Sequence, residues 1–209
     1  LRSAKLDVVN PVAPRAGVMR AAGFVQIVRS KQVAKLKTFG NVEDQLKQAN
    51  GKWRNAVRQG IRKKLWVSHD PFNERQHGWI FDNDRKQQRK KGFRNLPPQM
   101  TNTYATANSG HVMISQMWQG NAVIGAMIFL RHGLSATYHI GWTSEAGRKA
   151  RAHHVILTSA AQELHRNGVT EIDLGFITPT QAPGLARFKQ GSGASIQELG
   201  GTWIKVPLR

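Results

Sequence analysis

Residues 111–142 read HVMISQMWQGNAVIGAMIFLRHGLSATYHIGW. Three apolar stretches, His111 to Trp118, Val123 to Leu130 and Ala136 to Trp142, are separated by Gln119-Gly120-Asn121 and His132-Gly133-Leu134. Connectors this short that contain glycine turn the chain back on itself, because glycine supplies the positive φ of a tight hairpin. The segment therefore reads as an antiparallel meander of three strands. Downstream, Ser144 with Arg148 onward starts a long helix, with Ala152, Val155, Ile156, Ser159, Ala160 and Leu164 inward and Asn167-Gly168 as its stop. Glu171 to Phe176 is a buried strand. A short helix around Leu185 to Lys189 and two strands, Ser195 to Leu199 and Thr202 to Val206, complete the chain. The order β-β-β-α-β-α-β(β) predicts an α/β fold with a mixed, mainly antiparallel sheet flanked by helices.

Working outward toward the N-terminus, residues 11–23 read as a short helix closed by Gly23, followed by a strand from Phe24 to Val28 and a turn at Gly40-Asn41. From Val42 to about Leu65 one helix is predicted, with Val42, Leu46, Ala49, Trp53, Val57 and Ile61 on a single stripe. Leu65 to Val67 is a short strand. Asp70-Pro71 then opens the next helix, Asp as N-cap and Pro at the first position. That helix carries Phe72, Trp79 and Ile80 and a basic end from Arg85-Lys86 to Lys90-Lys91. A further short helix with Met100 and Tyr104 follows Pro97-Pro98.

The 209 residues are enough for one sizeable core, and 40% apolar content with six tryptophans is that of a globular chain. There is no cysteine, which removes disulfides, thiolate metal sites and a cysteine nucleophile. No apolar run approaches the ~20 residues that span a bilayer, and no signal peptide is read at Leu1. The charge is extreme: 31 Lys+Arg against 12 Asp+Glu, a formal +19. Such a field attracts polyanions, whether nucleic acid, anionic lipid or a phosphorylated substrate. No helix-turn-helix spacing, zinc-finger ligand set or RNP aromatic pattern is present, so a plain DNA-binding protein is disfavoured.

Two segments carry a family resemblance. Gly51-Lys52-Trp53-Arg54-Asn55-Ala56-Val57-Arg58 resembles the K-x-R-N-x-x-R helix of FemAB-like proteins. Ala182-Pro183-Gly184-Leu185-Ala186-Arg187-Phe188-Lys189-Gln190-Gly191-Ser192-Gly193-Ala194 resembles their G-[LI]-x-x-F-K-x-G-[FT]-G-[GA] signature. Between them, Phe93-Arg94 and Tyr104 look like the family's Arg-containing segment before the meander. The strand and helix order from 111 is that of the GNAT acyltransferase core, so the chain resembles the FemAB/FemX family of that superfamily over roughly residues 42–206. The resemblance implies a two-domain organisation: residues 1–40 as the C-terminal remnant of a first GNAT-like domain, 41–65 as a basic linker helix, and 66–209 as the GNAT-like acyltransferase domain. A chain truncated or naturally short at its N-terminus is expected on that basis.

The resemblance also implies the activity, transfer of an aminoacyl group from aminoacyl-tRNA to a peptidoglycan precursor or similar amine. It places Phe188 and Lys189 at the acyl-transfer site, with the Lys as a positive donor near the developing oxyanion. It places Arg94 at the acceptor's phosphate region, where a guanidinium fork matches phosphate bidentately, and makes Tyr104 a binding candidate beside it.

The residues themselves add further candidates. Arg54, Arg58 and Arg62 recur every four residues and form one ridge, widened by Lys52, Lys63 and Lys64, which suits an RNA backbone or a solvated helix face equally. Tyr138 and His139 lie in the third strand of the meander. His139 is a candidate general base, since its ordinary pKa lies near neutrality, and Tyr138 a binding residue. Asp173, one of few acids, is a candidate for holding an amine. His153-His154 suggests a metal pair, but neighbours on a helix point about 100° apart, and no metal is expected.

Acyl transfer to an amine needs positioning, deprotonation of the amine and stabilisation of the oxyanion, and no metal or tightly bound cofactor. Acetyl-CoA-dependent GNAT proteins carry a Q/R-x-x-G-x-G/A turn before the helix after the meander. Here Glu145-Ala-Gly-Arg148-Lys-Ala-Arg151-Ala-His153 departs from it, which favours aminoacyl-tRNA over acyl-CoA as donor. Two alternatives stay open: an acyl-CoA-dependent enzyme acting on a small-molecule or lipid amine, and a non-catalytic basic module that binds RNA or an anionic membrane. A cytoplasmic location, with peripheral contact to the inner membrane face, is expected.

Overall fold

The computed structural model describes residues 7–205. A seven-stranded sheet forms the body, in the order β4-β5-β6-β7-β8-β3-β9. The meander is β5 (Val112–Gln119), β6 (Ala122–His132) and β7 (Ser135–Thr143), as its glycine connectors require. β4 (Trp66–Pro71) adds the antiparallel edge next to β5. On the other side β7 pairs in parallel with β8 (Glu171–Phe176), and β3 (Gln32–Lys37) lies between β8 and β9 (Ser195–Glu198).

One registration positions the site. β7 and β8 are paired only from Ser135 to Thr137 against Glu171 to Asp173. Past those residues the two strands are no longer laddered, so the sheet opens between them. A bulge between Ile128 and Phe129 skips His139 in the β6–β7 pairing. It lets consecutive residues Tyr138 and His139 serve different surroundings.

Two cores cover the sheet. On one face α8 (Ala152–Arg166) packs with α2 (Val42–Lys47) and α3 (Gly51–Ile61), burying Trp53, Val57, Ile156, Leu157, Leu164, Met127 and Phe129. On the other face α5 (Trp79–Lys91) places Ile80 and Phe81 against Ile114, Ile128 and Ile140, and α6 (Pro98–Ala107) adds Tyr104 and Ala105. Gly60 allows the α3–α8 approach, because a Cβ there would stand 2.4 Å from the Val155 side chain and 3.0 Å from the Ala150 carbonyl oxygen. Among the described residues no helix is long and apolar enough to cross a membrane.

Several predicted elements differ from those observed. The helix predicted over 42–65 is two, α2 and α3, interrupted at Asn50. Asn50 is extended (φ −71°, ψ 165°), and its side chain accepts the Trp53 N–H, so it caps a new helix. Asp70-Pro71 does not open a helix but ends β4, an edge strand where proline is tolerated. The capping role passes to Asn73, whose side chain accepts from the Arg75 and Gln76 N–H groups at the start of α4 (Glu74–His77). The long helix after Ser144 is divided into α7 (Glu145–Lys149) and α8, with Arg151 in the left-handed conformation between them (φ 58°). The helix predicted over 11–23 is reduced to α1 (Ala16–Ala21).

The N-terminal segment is also divided. β1 (Asp7–Val9) and β2 (Val25–Val28) flank β10 (Thr202–Lys205) in a separate three-stranded sheet, whereas β3 belongs to the main one. A boundary at residue 40 is therefore not a boundary in strand pairing. The part of the expected remnant before Asp7, and Val206 of the last predicted strand, lie outside the described residues.

Candidate active site

A cavity of about 1070 Å³ is a groove between α3, the α7–α8 junction and α9 (Pro183–Gly191). Its aromatic wall follows from the two segments singled out by sequence. Trp53 of α3 packs against Phe188 of α9 at 4.7 Å between ring centroids and against His154 of α8 at 4.5 Å. Phe188 also meets His153 edge-on at 6.1 Å. A backbone bond from the Asn50 N–H to the Gly191 carbonyl oxygen (3.0 Å) ties the start of α3 to the end of α9.

The groove is one-signed. Lys52, Arg148, Arg151 and Arg187 line it, and no Asp or Glu is among its lining residues. Ala152 and His153, the first residues of α8, line it as well. The first N–H groups of a helix have no intrahelical acceptor, and the helix dipole adds positive potential there. Burial pushes the imidazoles of His153 and His154 down to about 4. Both are therefore neutral near pH 7, and they add aromatic surface rather than charge. Three elements far apart in sequence thus present an aromatic wall beside a cluster of cations, an arrangement suited to a phosphate-bearing ligand.

Lys189 faces away from this groove. It is 5% exposed, and its Nζ donates to the Phe176 carbonyl oxygen at 2.9 Å, at the end of β8 where the sheet has opened. Burial pushes its ammonium down to about 8, against the opposing influence of Asp173. Asp173 is itself engaged. Its Oδ2 accepts from Lys35 Nζ at 3.0 Å and its Oδ1 from the Gly175 N–H at 2.7 Å. Adjacent residues on α9 thus serve two environments: Phe188 the groove and Lys189 the end of β8.

The remaining candidates are dispersed. His139 shares a 2.7 Å hydrogen bond with the Thr101 hydroxyl, and burial lowers its pKa, with Asp84 opposing. Tyr138 is packed against the α8-side core with its phenol pKa raised by burial. Tyr104 donates its hydroxyl to the Arg131 carbonyl, tying α6 to β6. Arg94 lines a second, smaller cavity of about 460 Å³ with Arg85, Gln88, Arg89, Gly92 and Phe93, away from the groove. Arg54 is turned back onto the Ala49 carbonyl oxygen at 2.5 Å, while Arg58 is exposed on α3. Arg148, Arg151 and Arg187 were not singled out by the sequence reading, because no local spacing joins α9 to the α7–α8 junction. Among the described residues no three His, Asp or Glu side chains gather as a metal site would require.

Comparison with known proteins accords with this architecture. A crystal structure of FemX superposes with a TM-score of 0.77 at 11% identity, covering 97% of this chain and 72% of that one. The C-terminal domain of an Agrobacterium fabrum protein described as a putative lysylphosphatidylglycerol synthetase gives 0.58 at 13% identity, over 96% and 68% of the two chains. L-PGS from Bacillus licheniformis gives 0.56 at 10%, over 95% and 67%. No curated protein sequence matches the chain. At these identities the structures establish a shared fold. The family model for the acetyltransferase (GNAT) domain, in contrast, matches residues 45–190, which carry the meander, the opening between β7 and β8 and nearly all of the helices that line the groove; the chain belongs to the GNAT acyltransferase family.

Proposed function

We propose that this chain is a FemAB-like N-acyltransferase that moves an aminoacyl group from aminoacyl-tRNA to an amine acceptor, a peptidoglycan precursor or a similar molecule. The observation that carries the reading is the acid-free groove, in which Lys52, Arg148, Arg151 and Arg187 surround the start of α8 beside Phe188. Arg151 supports a polynucleotide donor over acyl-CoA. It holds the left-handed position between α7 and α8 with a bulky cation rather than the glycine of an acetyl-CoA turn. One neighbour in fold is described as a lysylphosphatidylglycerol synthetase, a name that pairs a lysyl group with a phospholipid, which suits an aminoacyl group better than acetyl.

In this reading the donor's terminal phosphates lie along the groove and the ester reaches toward the opening between β7 and β8. The acceptor amine attacks the ester carbonyl, an amide bond forms, and the C–O bond to the ribose breaks. The ribose hydroxyl leaves with the proton the amine gives up. Lys189 is protonated near neutrality, and one of its three N–H donors is used on Phe176. The other two serve the developing oxyanion, in a dry setting where such a donor is worth most. Phe188 excludes water from the groove side. Arg94 and its neighbours Arg85 and Arg89 suit an acceptor phosphate. The reaction belongs in the cytoplasm, with peripheral contact to the inner membrane face where the acceptor is lipid-linked.

An acyl-CoA donor is the second reading, favoured by the acetyltransferase family model itself. Filter binding of charged against uncharged tRNA over a salt series, with CoA thioesters as competitors, separates the two. A preference for charged tRNA that Lys189→Ala abolishes is the expected result. Displacement by CoA thioesters supports the second reading. Equal binding of both tRNA forms, unaffected by CoA and lost steeply with salt, overturns both.

A further inference from the structure

An aromatic pair lies at the outer edge of the sheet, apart from the groove. Trp66 on β4 stands directly opposite Trp118 on β5, and their rings stack at 5.1 Å between centroids with 3° between planes. Trp118 is fixed by a 3.1 Å hydrogen bond from its Nε1 to the Ser68 hydroxyl. Trp66 is thereby held flat against a ring that is itself held in place, and it remains 54% exposed. β4 is the terminal strand, so the outer face of Trp66 looks past the edge, where no further strand follows among the described residues. An indole this exposed is left uncovered at a cost in apolar burial, and a stacked pair presents a rigid planar surface for a third ring.

The surroundings indicate which ring. Arg62, Lys63 and Lys64 lie just before the strand, are exposed and, among the described residues, take part in no salt bridge. Lys64 lies within about 8 Å of Trp66 along the chain. It adopts the left-handed conformation (φ 54°), where glycine would be free of strain. Among the described residues the two non-glycine residues of positive φ are Lys64 and Arg151, so each strained position carries a cation. Exposed Arg58 on α3 continues the basic track from Lys64 back toward the groove, a helix length of about 16 Å.

We infer that Trp66, stacked on Trp118 and flanked by Arg62, Lys63 and Lys64, is a binding platform for an unpaired base of a single-stranded nucleic acid. The base continues the stack past the edge of β4, and the cations take its flanking phosphates. A flat aromatic face with adjacent cations is how single strands are gripped without sequence preference. A neutral sugar would stack on the indole without needing the cations. A bilayer would use scattered aromatics rather than a pair locked face to face. The site is separate from the groove and does not depend on the donor's identity.

The test is fluorescence anisotropy with a labelled short oligouridylate, a labelled RNA duplex and, in parallel, phosphatidylglycerol vesicles. Trp66→Ala is expected to weaken oligouridylate binding at least about 5-fold, the lower end for loss of one stacked base, and to leave duplex binding within about 2-fold. Trp66→Phe, which keeps a ring, retains most of the affinity and shows that the loss is not one of folding. Lys63→Ala with Lys64→Ala lowers binding of both RNAs and flattens the salt dependence. Unchanged oligouridylate binding in Trp66→Ala overturns the inference, as does a loss confined to vesicles.

Discussion

The Nζ of Lys189 lies 2.9 Å from the Phe176 carbonyl oxygen, so the last turn of α9 is fastened to the end of β8 where the sheet opens. Burial at this place lowers the pKa of the ammonium to about 8, against the opposing charge of Asp173, and this gives a pH signature. If transfer uses the protonated amine, activity falls as pH rises through about 8. Stability moves the other way. Between about 8 and 10.5 the unfolded chain still holds the proton that the folded chain has released, so folding is favoured as pH rises across that window. Lys189→Met is expected to cut transfer by about 100-fold or more and to remove the rise in stability. Rate profiles and denaturant titrations from pH 7 to pH 11 check both.

Gly193, in the signature segment, is structural. Its φ is +90°, and a Cβ there would come 2.2 Å from the Gln48 carbonyl oxygen, a backbone atom at the end of α2. Gly193→Ala therefore combines an unfavourable conformation with a clash that no rotamer relieves. The expected loss is about 2–4 kcal/mol, read as a lower denaturant midpoint with an unchanged slope. A loss below about 1 kcal/mol would mean that α9 is not seated against α2 in this way.

The meander was legible because glycine connectors and apolar runs of strand length leave few other readings of residues 111–142. The helix breaks were not. Asn50 suits a helix surface and an N-cap equally, and its role depends on the contact with Gly191 of a distant helix. Arg151 is a good helix former, so nothing local announces its left-handed turn. Asp70-Pro71 carries a helix-start signal that pairing with β5 overrides. The same division holds at the site. Phe188, Lys189 and the α3 cations were visible as motifs. Arg187, Arg148 and Arg151 acquire meaning once three separate helices meet, and β3 enters the main sheet by non-local pairing.

His153 and His154 give a test on the acid side. Burial holds both near 4 in the folded chain, against an ordinary 6.5. Below about pH 6.5 the unfolded chain takes up protons that the folded chain does not. The stability contributed by keeping them neutral is complete above pH 6.5 and is lost as pH falls toward 4. The loss over that window is about 2–4 kcal/mol for the pair after allowance for partial exposure. Among the described residues the buried His153 Nε2 has no hydrogen-bond partner, so His153→Phe removes no hydrogen bond at that atom. The substitution is expected to reduce the slope of stability against pH between 6.5 and 4 by about half, measured by urea unfolding at fixed pH. An unchanged slope would place His153 in solvent.

Arg151 sets conformation against charge. In the left-handed region a residue with a Cβ is strained by about 1 kcal/mol relative to glycine. Arg151→Gly is therefore expected to stabilise the fold, or at worst to leave it unchanged, because glycine also loosens the unfolded chain. The same substitution removes one of the four cations of the groove. If that cation meets a phosphate, tRNA binding weakens and the slope of log affinity against log salt falls by about 1. The opposite signs are what make the variant informative. A merely structural arginine would change stability and leave the salt slope alone, whereas a phosphate ligand lowers the slope in a protein at least as stable as before. Arg151→Lys, which keeps charge and strain together, should retain most of the binding and the original stability. Thermal melting and a salt series on the three proteins decide between these accounts.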